Sequence, residues 1–171
     1  MAIKLDEIDI QLLTELQVDA DRTNVQLARL TGLSPAATLH RVRTLKESGV
    51  IRIVQAQVDP SLAGFPLQVF VMAALSRHDP RSTDIFENHV RSLPQVITSD
   101  NVAGEYDYIL AVVARDVTEL AQVLTSLSGR GGQRMVTYLR LAEVKTPAPL
   151  PLGVTSVPKP TRPARSPGRP R

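Results

Sequence analysis

Arg22, Arg29, Arg41, Arg43, Lys46 and Arg52 stand within residues 22–54, where the only acid is Glu47. Basic charge packed this densely into one short segment is the footprint of a polyanion binder, because each Lys or Arg laid on a phosphate releases a counterion. A second basic run closes the sequence: Lys145–Arg171 holds two Lys, four Arg and no acid. The whole chain of 171 residues carries only +3, so the remainder is acidic and the asymmetry is the informative quantity. A solvated helix face with ordinary Arg would also account for charge by itself, and the elements that present it must decide.

Other chemistries find little support. His40, His78 and His89 lie in separate segments and Cys is absent, so no metal cluster is expected, and no disulfide or thiolate site can form. No Ser stands in a His–acid pattern suited to nucleophilic catalysis. The expectation is a protein that is not an enzyme and takes no cofactor. No segment approaches the roughly 18 consecutive apolar residues of a membrane span. The opening MAIKLDEIDIQLL has acids where a secretory leader has a basic end. A cytoplasmic, nucleoid-associated protein without a membrane partner is expected. Apolar residues make up 43 % and aromatics only 4 %, so the cores are built from Leu, Val, Ile and Ala.

The elements that position the basic residues begin with Leu5, Ile8, Leu12, Leu13 and Leu16, spaced as the apolar stripe of a helix ending near Asp19. A short second helix spans about 24–31, capped by Thr23 or Asn24. Gly32 suits the left-handed stop of that helix, and Ser34–Pro35 reads as an N-cap followed by a first-turn proline. The third helix runs from Pro35 to about Ser48. Two helices joined by a turn of this length make a helix-turn-helix. Leu39, Val42, Leu45 and the stem of Lys46 are expected to pack inward. Ala36, Ala37, His40, Arg41 and Thr44 point outward, with Arg43 on the flank. Small residues near the helix start let it sink into a major groove, where His40 and Arg41 reach bases or phosphates. Ser34 and the helix N-terminus offer donors to a phosphate. Asn24, Pro35 and Thr38 complete the expected DNA-binding set, and the partner is double-stranded DNA.

Residues 51–58 alternate like a strand, and Asp59–Pro60 marks a turn. The rhythm then changes. Leu67–Leu75 is a nearly continuous apolar strand. Ile85, Phe86, His89, Val90 and Leu93 form a helix face. Strands over 96–103 and 106–113 are joined by Gly104–Glu105, read as a two-residue hairpin turn. Val117, Leu120, Ala121, Leu124 and Leu127 form another helix face, and Met135–Leu141 a last strand. The order β-α-β-β-α-β is that of a ferredoxin-like α+β domain. Helices cover one sheet face, and the apolar other face calls for a second copy, hence a homodimer. The expected organisation is 1–52 helix-turn-helix domain, 53–66 linker strand, 67–146 second domain and 147–171 disordered basic tail. The tail has eight Pro from Thr146 onward and ends in Pro167-Gly168-Arg169-Pro170-Arg171. Gly-Arg-Pro is the centre of an AT-hook, although Pro167 replaces the usual flanking Arg.

The residues from Lys4 to Lys145 resemble the Lrp/AsnC (leucine-responsive regulatory protein) family. The resemblance is carried by Leu5-Asp6 with Asp9, Gly32-Leu33-Ser34, Arg41-Val42 with Leu45, Gly49-Val50-Ile51, VAGEYDYIL and TYLRLAEVK. It implies a winged-helix-like N-terminal domain and a C-terminal RAM domain that assembles dimers, often octamers, around small amino-acid effectors. Val102, Gly104, Tyr106, Asp107, Gln133 and Thr137 are the effector-binding residues it implies. A glycine there exposes backbone N–H groups to a carboxylate, and Asp107 would meet an α-ammonium. The chain departs from the family at His40, at Ala36 and Ala37, and in the glycine-rich 128–133 loop. Two alternatives stay open: an architectural nucleoid protein without effector, and a sirohaem-decarboxylase-like enzyme using Arg77, His78, Arg115 and residues 130–134.

Overall fold

The computed structural model describes residues 4–76, 79–129 and 132–153, with the side chains of Gly132 and Gln133 outside the described set. Arg77, His78, Arg130, Gly131 and the tail from Val154 also lie outside it. The chain divides into two compact units, one of Met1–Gln55 with the segment from Pro147, the other Ala56–Thr146.

The first unit holds three helices: α1 (Glu7–Val18), α2 (Asn24–Thr31) and α3 (Pro35–Glu47). Their starts are written in side chains that accept the otherwise unpaired N–H groups of a first turn. Asp6 and Asp9 form a reciprocal capping box on α1, Thr23 and Gln26 do the same on α2, and Ser34 caps α3 ahead of Pro35. Gly32 ends α2 at φ +70, a left-handed conformation that a Cβ disfavours. Leu12, Leu13, Leu27, Val42 and Leu45 form the core, with Leu5, Ile8, Leu16, Val50 and Ile51 packed around it.

Two α3 positions differ from expectation. Leu39 is 53 % exposed and Thr38 is fully buried, its hydroxyl donating to the Ser34 carbonyl. The buried face is therefore Thr38, Val42 and Leu45, rotated from the apolar set. A threonine that returns its hydroxyl to the preceding turn can occupy a core position, and the leucine is displaced to the surface.

Residues 52–59 form no strand; they are exposed, Ile53 and Val58 among them. Among the described residues nothing forms a ladder with this segment, so the expected linker strand is absent here. Asp59 then closes a turn by accepting from the Ser61 and Leu62 N–H groups.

The second unit holds β1 (Leu67–Leu75), α4 (Pro80–Ser92), β2 (Val96–Asn101), β3 (Tyr108–Ala114), α5 (Val117–Ser128) and β4 (Gly132–Leu139). The sheet order is β2-β3-β1-β4, antiparallel throughout. Val69, Val71, Ala73, Leu75, Leu110 and Val112 point to the helix side and pack with Phe86, Val90, Val123 and Leu127. Tyr108 and Phe86 meet at 4.9 Å between ring centroids. His89 Nε2 lies 2.8 Å from Ser126 Oγ and links α4 to α5. Val117 is 73 % exposed, so the inward face of α5 is centred on Val123 and Leu127 instead. The β2–β3 connection is six residues, not two: the strands end at Asn101 and resume at Tyr108.

On the other sheet face, Phe70 lies opposite Ala111 and Tyr138, and Met72 opposite Ile109 and Val136. Phe70 is 40 % and Tyr138 52 % exposed, so this apolar patch is uncovered.

Candidate nucleic-acid interface and effector loop

The surface of α3 is set by its buried face. At 100° per residue, Ala36, His40 and Arg43 form the stripe opposite Thr38, Val42 and Leu45, with Ala37 and Thr44 on one flank and Leu39 on the other. All six of these stripe and flank residues are exposed. Ser34 starts the helix, also exposed; its Oγ accepts from the Ala37 N–H at 3.2 Å and keeps its own O–H to donate. Pro35 sets the first turn. Arg43 is 75 % exposed and held by Glu47 at 2.7 Å, a pair that salt and a phosphate readily replace.

Three expected contacts are placed elsewhere. Thr38 is buried. Asn24, half-buried, lines an apolar groove of the helical unit with Leu13, Val42 and Leu152, away from the stripe. Arg41 is tied down: its Nη1 donates to Asp6 Oδ2 at 2.7 Å and to Asp9 Oδ1 at 2.9 Å. The two acids that cap α1 thus also hold α3. The Asp9 backbone N–H, and then Arg41, keep the Asp6 carboxyl below its ordinary value. Asp6, then Asp9, raise Arg41 above its own. The Asp-x-x-Asp spacing ahead of an apolar run signals a capping box in the sequence, but not the cross-helix partner.

In the second unit the 102–107 loop is pinned to the end of β1. Asp107 N–H donates to the Ala73 carbonyl at 3.0 Å, and its Oδ2 accepts from the Leu75 N–H at 2.7 Å. Val102 N–H closes the loop on the Asp107 carbonyl at 2.8 Å. The Asp107 carboxylate therefore holds backbone at the end of β1 in this structure. Arg134, at the start of β4, reaches Glu105 at 2.7 Å and stacks 4.7 Å from the Tyr106 ring centroid. Glu105 and Tyr106 of the loop thus contact Arg134, a cation that the sequence reading named only within residues 130–134 for the enzyme alternative and not as part of the amino-acid site. Thr137 is exposed on β4 opposite Val71, and Gln133 lies outside the described side chains. Among the described residues no cluster of His, Asp or Glu is arranged to hold a metal, and no helix is long and apolar enough to cross a membrane.

Comparison with known proteins agrees with this two-part layout. A family model described as winged helix-turn-helix DNA-binding matches residues 5–52, and one described as Lrp/AsnC ligand binding domain matches residues 68–150. The leucine-responsive regulatory protein of Rhizobium meliloti is 38 % identical over 84 % of this chain and 93 % of its own. The glutamate uptake regulatory protein of Zymomonas mobilis is 34 % identical over 91 % and 96 %. Among solved structures, a transcriptional regulator from Neisseria meningitidis in complex with L-Met superposes with TM-score 0.81 at 31 % identity, over 88 % of this chain and 98 % of that one. With both halves matched in order and nearly full length, the chain belongs to the Lrp/AsnC family of DNA-binding transcriptional regulators.

Proposed function

We propose that α3 enters the major groove of duplex DNA and reads it through Ala36, Ala37, His40, Arg43 and Thr44. Leu39 lies beside them, suited to a thymine methyl, and Ser34 donates to a phosphate. The observation that carries this reading is the exposed stripe Ala36–His40–Arg43, set opposite a buried Thr38–Val42–Leu45 face. Arg41 holds the helix in place rather than contacting bases. Two copies pair through the uncovered sheet face, giving the twofold arrangement that reads two half-sites. A small amino acid binds at the 102–107 loop, its carboxylate on Arg134 and exposed loop N–H groups, and changes DNA affinity. The L-Met complex of the Neisseria relative supports an amino-acid ligand of this class.

An electrophoretic shift on the DNA upstream of the protein's own gene tests both parts. Arg43→Ala lowers the slope of log affinity against log salt by about 1. Folded Arg41→Ala keeps the wild-type slope. An Arg43→Ala, His40→Ala pair with unchanged affinity and slope removes the assigned face. In the same assay, one of the common amino acids at millimolar concentration shifts the wild type and not Arg134→Ala. A wild type indifferent to all of them removes the effector. Equal affinity for random DNA would instead favour an architectural role.

A further inference from the structure

The segment after the second unit returns to the first. Gln17 on α1 receives Leu150 as a neighbouring strand would: Gln17 Nε2 donates to the Leu150 carbonyl at 3.4 Å and the Leu150 N–H donates to Gln17 Oε1 at 2.6 Å. Leu152 packs against the Leu12–Leu13–Leu27 core in a groove lined by Leu5, Leu16 and Ile51. Gly153, at φ +68, lies against Ile10; a Cβ there would come within 3.2 Å of the Ile10 methyl. Pro147, Pro149 and Pro151 alternate with Ala148, Leu150 and Leu152, and their fixed φ lowers the conformational entropy lost on docking. Four independent features therefore fix this segment: a two-way amide contact, an apolar side chain, a left-handed glycine and preset prolines.

Beyond Gly153 the composition turns purely basic. Val154–Arg171 carries Lys159, Arg162, Arg165, Arg169 and Arg171 with no acid. Its root lies beside Ile10, the residue after Asp9, and Asp9 holds Arg41 of α3. The five cations thus follow in sequence a residue that is anchored on α1. Eighteen residues span at most roughly 60 Å, enough to reach phosphates beyond the base pairs that α3 touches.

We propose that Leu150–Gly153 is a clip rooting a cationic arm, Val154–Arg171, on the DNA-binding unit, and that the arm is a second contact with DNA phosphates flanking the site read by α3. The inference rests on the DNA-binding reading above. Rooting matters because a tethered cation meets the duplex at high effective concentration only when its anchor sits beside the first contact.

The test measures affinity for one operator duplex from 50 to 300 mM salt with three proteins: the full chain, a truncation after Gly153 that keeps the clip, and a full-length Gln17→Ala, Leu152→Ala variant. Circular dichroism establishes that the variant is folded at the assay temperature. A second clip variant, Gly153→Val, serves where the double substitution unfolds. Truncation is expected to lower the salt slope by about 2 to 4, with affinity at 50 mM falling about tenfold or more. The clip variant, arm still present, is expected to fall most of the way to the truncation. An unchanged slope on truncation overturns the arm. A clip variant with full-chain slope and affinity overturns the rooting. Absence of binding by the full chain itself overturns the DNA reading, and the arm with it, whereas binding equal in all three leaves α3 standing and removes only the arm.

Discussion

Arg41 and Arg43 are two positions apart on one helix, yet their surroundings separate them. Arg41 turns back to Asp6 and Asp9, while Arg43 stands in solvent with a single weak partner. The difference comes from angle: two residues turn the helix by about 200°, enough to exchange inside for outside. The Asp6 carboxyl, held low by the Asp9 N–H and Arg41, links this tie to pH. A carboxylate whose folded value is depressed contributes stability that is present above its unfolded value, about 3.9, and lost as pH falls through the folded one. Between pH 5 and pH 3 the urea midpoint is therefore expected to drop for the wild type, and by less for Asp6→Asn. An Asp6→Asn profile as steep as wild type would place the acid sensitivity elsewhere. Thr38 makes the complementary case. Its polar type suggests an outward contact, but the hydroxyl satisfies itself on the Ser34 carbonyl and so enters the core without an unpaired group.

The elements are largely legible in sequence. Caps, the Gly32 stop and the Ser34–Pro35 start are local chemistry, and each works within a few residues. Alternation in β1 and the 3.6-residue stripes of α4 and α5 likewise report a buried face. Edges are less legible. Val117 matches the α5 stripe but sits at its exposed first turn, and the expected hairpin strands between Val102 and Asp107 are instead a loop. A distant partner holds that loop, because the Asp107 side chain accepts from the Leu75 N–H at the end of β1. The packing predicts unequal costs within the second unit. Phe86, fully buried against Tyr108, should lose about 3–5 kcal/mol on replacement by Ala. Val117→Ala should change stability by less than about 0.5 kcal/mol. Denaturant melts measure both, and similar costs at the two sites would contradict the assigned helix faces.

At the scale of the whole molecule, the uncovered Phe70–Met72–Tyr138 face is the largest consequence of the fold that one chain leaves unresolved. An antiparallel sheet with helices on one side only must find another apolar surface or leave this one wet. Sedimentation of the wild type is expected to show a dimer, and a Phe70→Asp, Tyr138→Asp pair a folded monomer that binds a full twofold operator about tenfold or more weakly, since two half-sites no longer act together. A dimer undisturbed by both substitutions would move the interface to another surface. The exposed, unpaired 52–59 segment is the next candidate, because an alternating strand without a ladder partner can pair with a copy of itself.

The sequence by itself determined the helix-turn-helix, the β-α-β-β-α-β order and the basic asymmetry, because capping, periodicity and charge act over neighbouring residues and survive without a tertiary context; the family was legible only through the resemblance of its motifs. Only the tertiary structure decided that Arg41 belongs to Asp6 and Asp9, that Arg134 stands beside Glu105 and Tyr106, and that Leu150–Gly153 returns to α1. Each of these is a contact between residues far apart in the chain. Such contacts depend on which surfaces the packed elements bring together, and no local pattern encodes them.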